Sequence, residues 1–151
     1  MIRARIAPAA VADAEALAAV HRACFAEFWT ASTIARFLQD SITVSAVARC
    51  GAAVVGFALC RLAADECEVL TCAVAPVFRR RGIGSSVLEA AFGEAVRRGA
   101  RRVFLEVAAD NDAAIALYAE RGLRAVGRRR RYYRRAGDAD VDALIMRREL
   151  Q

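Results

Sequence analysis

The chain is poor in several residue types, and each shortage removes a class of function. It has no lysine, a single histidine, two prolines and one tryptophan in 151 residues. One histidine, His21, in a segment of helical spacing, supplies neither a zinc ligand set nor a Ser/His/Asp arrangement, so no metal is expected. The five cysteines (Cys24, Cys50, Cys60, Cys67 and Cys72) are odd in number, show no C-x-x-C spacing and mostly sit in apolar runs, which reads as reduced thiols. Long apolar runs are also missing. The longest stretch without Asp, Glu or Arg is Cys50 to Cys60, whereas a membrane-spanning helix needs roughly 18 or more residues. Arg3 and Arg5 ahead of Ile6 to Ala12 briefly imitate a signal peptide, but Asp13 and Glu15 interrupt it at once, so the expectation is a mature cytoplasmic protein.

What is present is enough apolar material to fold. Apolar types make up 58% and charged types 26%, which suits one domain spanning residues 1–151 with one sizeable core. All 23 basic residues are arginine, and against 17 acids they leave a net charge of +6. Nearly half of them lie in two places, Arg79 to Arg81 and Arg121 to Arg135. Phosphates, polyanions or an acidic surface are the partners such clusters suit.

Periodicity predicts a short strand over Ile2 to Ile6. A helix follows from Ala10 to Phe28, with Leu17, Val20, Cys24 and Phe28 on one stripe, then a second helix to Gln39 capped by Thr30 or Ser32. Residues 42–48, 53–62 and 67–75 are β-rich and separated by turn signals at Cys50-Gly51 and Ala64-Asp65, an antiparallel meander that Pro76 ends. Gly82 to Arg98 carries Ile83, Val87, Ala91 and Ala95 on one face and closes at Gly99. A strand over Arg102 to Ala108, a helix over Asn111 to Arg121 and two strands, Leu123 to Tyr133 and Val141 to Leu150, complete the order. This places helices around a mixed sheet, an α/β (α+β) fold.

The most specific signal is Arg79-Arg80-Arg81-Gly82-Ile83-Gly84-Ser85, between the end of the meander and the best-patterned helix. Glycines let backbone N–H groups approach an anion, a helix N-terminus adds the positive end of its dipole, and the arginines add charge, so the position suits a pyrophosphate. It is not a P-loop, which needs a lysine. Nor is it a dinucleotide fingerprint, because position 87, where a third glycine would stand, is valine.

Arg79-x-x-Gly82-x-Gly84 resembles the R/Q-x-x-G-x-G/A loop of the GNAT acyltransferase superfamily, which wraps the pyrophosphate of acetyl-CoA. Three later segments narrow the resemblance to the bacterial ribosomal-protein-alanine N-acetyltransferase family, RimI. They are Leu105-Glu106-Val107, then Asn111 to Tyr118 with Gly122-Leu123, then Arg131-Tyr132-Tyr133 followed by Asp142 to Met146. The resemblance implies a GNAT fold: a mostly antiparallel sheet flanked by about four helices, with strands that splay at the cofactor site. It also implies acetyl-CoA as co-substrate and a protein N-terminus, from a small-subunit ribosomal protein, as acceptor.

In Val103 to Val107 the alternation places Glu106 opposite Val103, Leu105 and Val107. From the residues alone, Glu106 is either half of an ion pair with one of the many arginines or a general base, since an ammonium must lose a proton before attacking a thioester; the resemblance implies the second. Tyr118 is core packing or a proton donor to the departing thiolate, and the resemblance implies a general acid. Asn111 reads as an N-cap, and the resemblance adds a cofactor contact. The same likeness implies that backbone groups of Cys72, Ala73 and Val74 hold the pantetheine, and that Trp29, Tyr132 and Tyr133 border the acceptor. The family's usual proline before that tryptophan is Phe28 here. Cys72 as a nucleophile lacks a histidine to activate it. Asp138, Asp140 and Asp142 are expected to offset the arginines for a basic acceptor. Two other readings stay open: the same chemistry on a small amine, and an RNA-binding module using Arg128 to Arg135 with the paired tyrosines.

Overall fold

The computed structural model describes residues 3–133 and 140–150. Along the chain run β1 (Arg5–Ala7), α1 (Ala14–Cys24), α2 (Ala31–Gln39), β2 (Thr43–Cys50), β3 (Ala53–Ala63), β4 (Glu66–Val74), α3 (Ile83–Arg97), β5 (Arg102–Ala108), α4 (Asp112–Glu120), β6 (Arg124–Tyr133) and β7 (Val141–Glu149). The element order agrees with the periodicity. Ile2, Arg134, Arg135 and Asp138 lie outside the described residues.

The first helix is shorter than its stripe suggests. Val11–Asp13 form a separate 3₁₀ turn, because the Asp13 carboxylate turns back to accept from the Ala10 N–H at 2.8 Å and also pairs with Arg49. At the other end Phe25 is extended, and the chain folds back so that the Trp29 N–H donates to His21 Nδ1 at 3.0 Å. The second helix starts at Thr30, whose hydroxyl accepts from the Thr33 N–H at 3.2 Å.

The strands form one seven-stranded sheet in the order β1-β2-β3-β4-β5-β7-β6. Helix α3 and part of α4 cover one face, where Val87, Leu88, Ala91 and Phe92 pack on Val44, Ala46 and Ala48. Helices α1 and α2 cover the other face, with Leu17 and Ile34 on Val47, Phe57 and Leu59. Fully burying a leucine or phenylalanine contributes about 1.5–3 kcal/mol, so these two layers fix the sheet between them.

Two extra residues set which side chains reach which layer. Ala48 pairs with Gly56 and Arg49 with Val54, leaving Val55 unmatched. Leu59 pairs with Thr71 and Cys60 with Val69, leaving Leu70 unmatched. An unmatched residue shifts the two-residue alternation by one. Cys67 and Val69 before Leu70 therefore share the α3 layer with Cys72 and Val74 after it, while Ala73 joins the α1 layer.

The parallel pair β4–β5 is short. Only Glu66–Arg102, Cys67–Val103 and Glu68–Phe104 match. Beyond them β5 stays paired with β7 to Ala108, β4 stays paired with β3 to Val74, and a wedge opens between β4 and β5.

Candidate active site

Beyond Glu68 the backbone on the β4 side of the wedge has no strand partner there among the described residues. The Ala75 N–H donates to Val55 O at 2.8 Å. By the alternation of an antiparallel ladder, Thr71 and Ala73 face β3 with it, and the N–H and C=O groups of Cys72 and Val74 point into the wedge. The Val74 carbonyl is already a receiving point there, accepting from Arg79 Nε at 3.1 Å and from the Cys24 thiol at 3.3 Å.

At the mouth of the wedge stands the N-terminus of α3. Gly82 is its N-cap, at φ +79° with no side-chain cap. The first helical bond back is Ser86 N–H to Gly82 O at 3.0 Å, which leaves the N–H groups of Ile83, Gly84 and Ser85 for an outside acceptor. Arg80 also has positive φ, +63°, so left-handed residues at 80 and 82 bend the loop around the helix end. Two glycines permit close approach here. A Cβ on Gly84 would lie 3.2 Å from Leu117 of α4, and one on Gly56 would lie 2.9 Å from Ile83 Cγ2 and 3.2 Å from Ala73 O. Arg80 and Arg81 make no ion pair among the described residues; the Arg81 guanidinium lies 5.4 Å from the Phe78 ring centre. Open N–H groups, the guanidiniums of Arg80 and Arg81 without ion-pair partners among those residues, and the β4 edge at Cys72 and Val74 fit the pyrophosphate and amide groups of coenzyme A. Arg79 departs from the sequence expectation in direction, since its guanidinium turns inward to Val74 O and Cys24 Sγ.

Val103, Leu105 and Val107 are buried in the α3 layer, and Glu106 faces the opposite way. Its carboxylate accepts from Arg129 Nη1 at 2.8 and 3.0 Å, so the ion pair anticipated as one of its two readings is present. The Arg129 guanidinium also lies 4.3 Å from the Tyr132 ring centre, and the Tyr133 hydroxyl reaches Glu106 O at 3.4 Å. Strand β6 is distorted here: Arg129 matches Ala143 and Tyr133 matches Val141, so the strand spends extra residues, with Tyr132 against the Arg129 guanidinium and the Tyr133 hydroxyl at the Glu106 backbone carbonyl.

Tyr118 is almost fully buried beside the wedge. Burial, then the nearby Cys72, Cys60 and Tyr133, push its hydroxyl well above the ordinary phenol value, which keeps the proton in place. Burial, and next Cys24, push the Cys72 thiol up to about 12, so a thiolate nucleophile there is disfavoured. Asn111 caps α4, its side chain accepting from the Ala114 N–H at 3.2 Å. Trp29 is drawn toward the core, stacked on His21 at 5.0 Å and on Phe37 at 5.2 Å; Phe28 is the exposed ring of the pair. Of the arginine run, Arg128 is held by Asp142 at 2.7 Å and Arg129 by Glu106, so two of its charges are engaged within the protein. Cys24 and Arg129 were not legible as site residues, the one hidden in a helix stripe and the other in a run of four arginines.

No group of three or more His, Cys, Asp or Glu among the described residues could hold a metal ion, and no helix among them is long and apolar enough to cross a membrane. The sheet parts at its parallel pair beside an uncapped helix terminus opened by glycine, the splayed arrangement that the GNAT resemblance implied. The chain belongs to the acetyltransferase (GNAT) family, whose profile matches residues 14–123. It is 46% identical over 106 residues to the N-alpha-acetyltransferase RimI of Mycobacterium tuberculosis, an alignment covering 68% of this chain and 63% of that protein. It is 40% identical over 90 residues to the ribosomal protein bS18-alanine N-acetyltransferase of Escherichia coli, covering 60% of each. The crystal structure of the Escherichia coli ribosomal-protein-S18-alanine N-acetyltransferase superposes with a TM-score of 0.90 at 30% identity, over 99% of this chain and 95% of that one. The chain spans less than two thirds of the length of the curated relatives it matches.

Proposed function

We propose that this chain transfers an acetyl group from acetyl-CoA to the α-amine at a protein N-terminus, with the alanine terminus of a ribosomal protein like S18 as the acceptor to which the relatives' names point. The observation that carries the reading is the wedge itself: an unpaired β4 edge leading from the α3 terminus to the level of Glu106 and Tyr118. Ile83, Gly84 and Ser85 would hold the pyrophosphate with their N–H groups, helped by Arg79, Arg80 and Arg81. Cys72 and Val74 would pair with the pantetheine amides, next to Ala73, and Asn111 would line the same mouth. Acetyl-CoA supplies the activated thioester carbonyl.

The chain's own groups then move two protons. Glu106 takes one from the acceptor's ammonium, directly or through water. The amine nitrogen bonds to the thioester carbon, the C–S bond breaks, Tyr118 gives its proton to the departing sulfur, and the second proton shed by the acylated nitrogen returns through water to the tyrosine. Trp29, Tyr132 and Tyr133 border the acceptor. An α-amine suits a single carboxylate base: with an ordinary pKa near 8, about a tenth of it is neutral at pH 7, against well under a thousandth of a lysine side chain at about 10.4.

The test uses two peptides with acetyl-CoA and follows thiol release. One has a free N-terminal Ala-Arg and no lysine; the other is N-terminally blocked with one internal lysine. Turnover confined to the free terminus is the expected result. Turnover on neither, with acetyl-CoA bound, redirects the search to small amines, and failure to bind acetyl-CoA overturns the reading.

A further inference from the structure

The Arg129–Glu106 pair has no place in the proton transfers just described, yet it sits on the carboxylate that they require. Arg129 Nη1 reaches both carboxylate oxygens, at 2.8 and 3.0 Å. The Glu106 side chain is 22% exposed and that of Arg129 50% exposed. Arg129 already binds both carboxylate oxygens, so an acceptor ammonium arriving at them meets a guanidinium in its place. Arg129 is built to leave. It is long and half-exposed, and the Tyr132 ring 4.3 Å from its centre offers a second partner for the same charge. An exposed pair of this kind is weak enough to exchange.

Resting on the acetyl-transfer reading above, we propose that Arg129 is a specificity-determining stand-in for the acceptor: its guanidinium occupies the ammonium site at Glu106 in the free protein and is displaced onto Tyr132 by the incoming amine. The stand-in excludes cations that cannot outcompete an intramolecular guanidinium, and it sets the acceptor's apparent affinity. A residue that merely shapes the site would behave oppositely, since its removal would lower kcat and an added guanidinium ion would restore activity.

The test compares the wild-type chain with Arg129→Ala and Arg129→Gln in acetyl transfer to the free-N-terminus peptide, with the acetyl-CoA Kd as a check of folding. The expected result is an acceptor KM lower by about two- to fivefold in both variants with kcat little changed. Methylguanidinium at millimolar concentration, at constant ionic strength, should then inhibit Arg129→Ala competitively against peptide and leave the wild type much less affected. A raised KM, or rescue by methylguanidinium, overturns the proposal while leaving the acetyltransferase reading intact. Absence of turnover by the wild type on any amine removes both. If Arg129→Ala loses acetyl-CoA binding, Arg129→Gln with the same inhibitor series decides.

Discussion

The two ends of the wedge are built from different materials. The end beside α3 is made of backbone: a left-handed Gly82 at φ +79°, unbonded first-turn N–H groups, the inward-facing amides of β4, and close approaches at Gly56 and Gly84. The end at β5 and β6 is made of long side chains from distant parts of the chain. Arg129 meets Glu106 across 23 residues, and Tyr133 meets it across 27. In the proposed reading the backbone end recognises what every acyl-coenzyme A shares. A side-chain end can vary its occupant without disturbing the frame, so that reading assigns acceptor choice to the second end.

The largest expected effect tests whether chemistry is confined to the side-chain end. Glu106→Gln is expected to lower kcat by about 10²- to 10⁴-fold, the usual range for removing a general base, with acetyl-CoA Kd unchanged by isothermal titration. A parallel loss of acetyl-CoA binding would break the separation between the two ends.

The next two changes press on the backbone end. Gly56→Val drives a side chain into Ile83 Cγ2 and Ala73 O, 2.9 and 3.2 Å from the position of its Cβ, and one of those neighbours is backbone that cannot rotate away. A stability loss of about 1–3 kcal/mol is expected, read from denaturant unfolding. Gly82→Ala meets nothing within 4 Å, so its cost is conformational, about 1–2 kcal/mol for an L-residue held at positive φ. Its distinguishing mark is weaker acetyl-CoA binding with the peptide KM unaltered. An equal effect on both substrates would show that the helix terminus also shapes the acceptor end.

This division also explains what could be read from the sequence. The loop at residues 79–85 is contiguous, and its chemistry is carried by glycine and helix position, so it stood out before any contact was known. Period-two alternation placed Glu106 opposite the core, and the N-cap at Asn111 was equally local. The unmatched residues Val55 and Leu70 gave no sign of themselves, because an apolar residue in an apolar strand looks the same whichever layer it faces. Helix α1 was read too long because the bond from Trp29 to His21, which folds the chain back after Cys24, joins residues whose partnership depends on the turn between them. Arg129 was one of four consecutive arginines, and only the distortion of β6 singles it out.

The smallest expected effect concerns pH. His21 is buried, and burial lowers its pKa below the ordinary 6.5. Its Nδ1 accepts from the Trp29 N–H at 3.0 Å, and an imidazolium could not accept that bond. Because the folded value lies below the unfolded one, the unfolded chain takes up the proton first as pH falls. The stabilising contribution is complete above about 6.5 and is lost as pH drops from there through the folded value. Thermal unfolding should therefore show a Tm that declines between about pH 7 and pH 5. In His21→Gln, whose side-chain oxygen can still accept from the Trp29 N–H, the slope should flatten. The decline should appear first around Trp29, which stacks on His21 and Phe37 and which the proposed function sets beside the acceptor, as faster amide exchange at Trp29 than at Ser86 of α3. Equal acceleration at both positions would mean that His21 supports the whole α1 layer and that the two ends share one anchor.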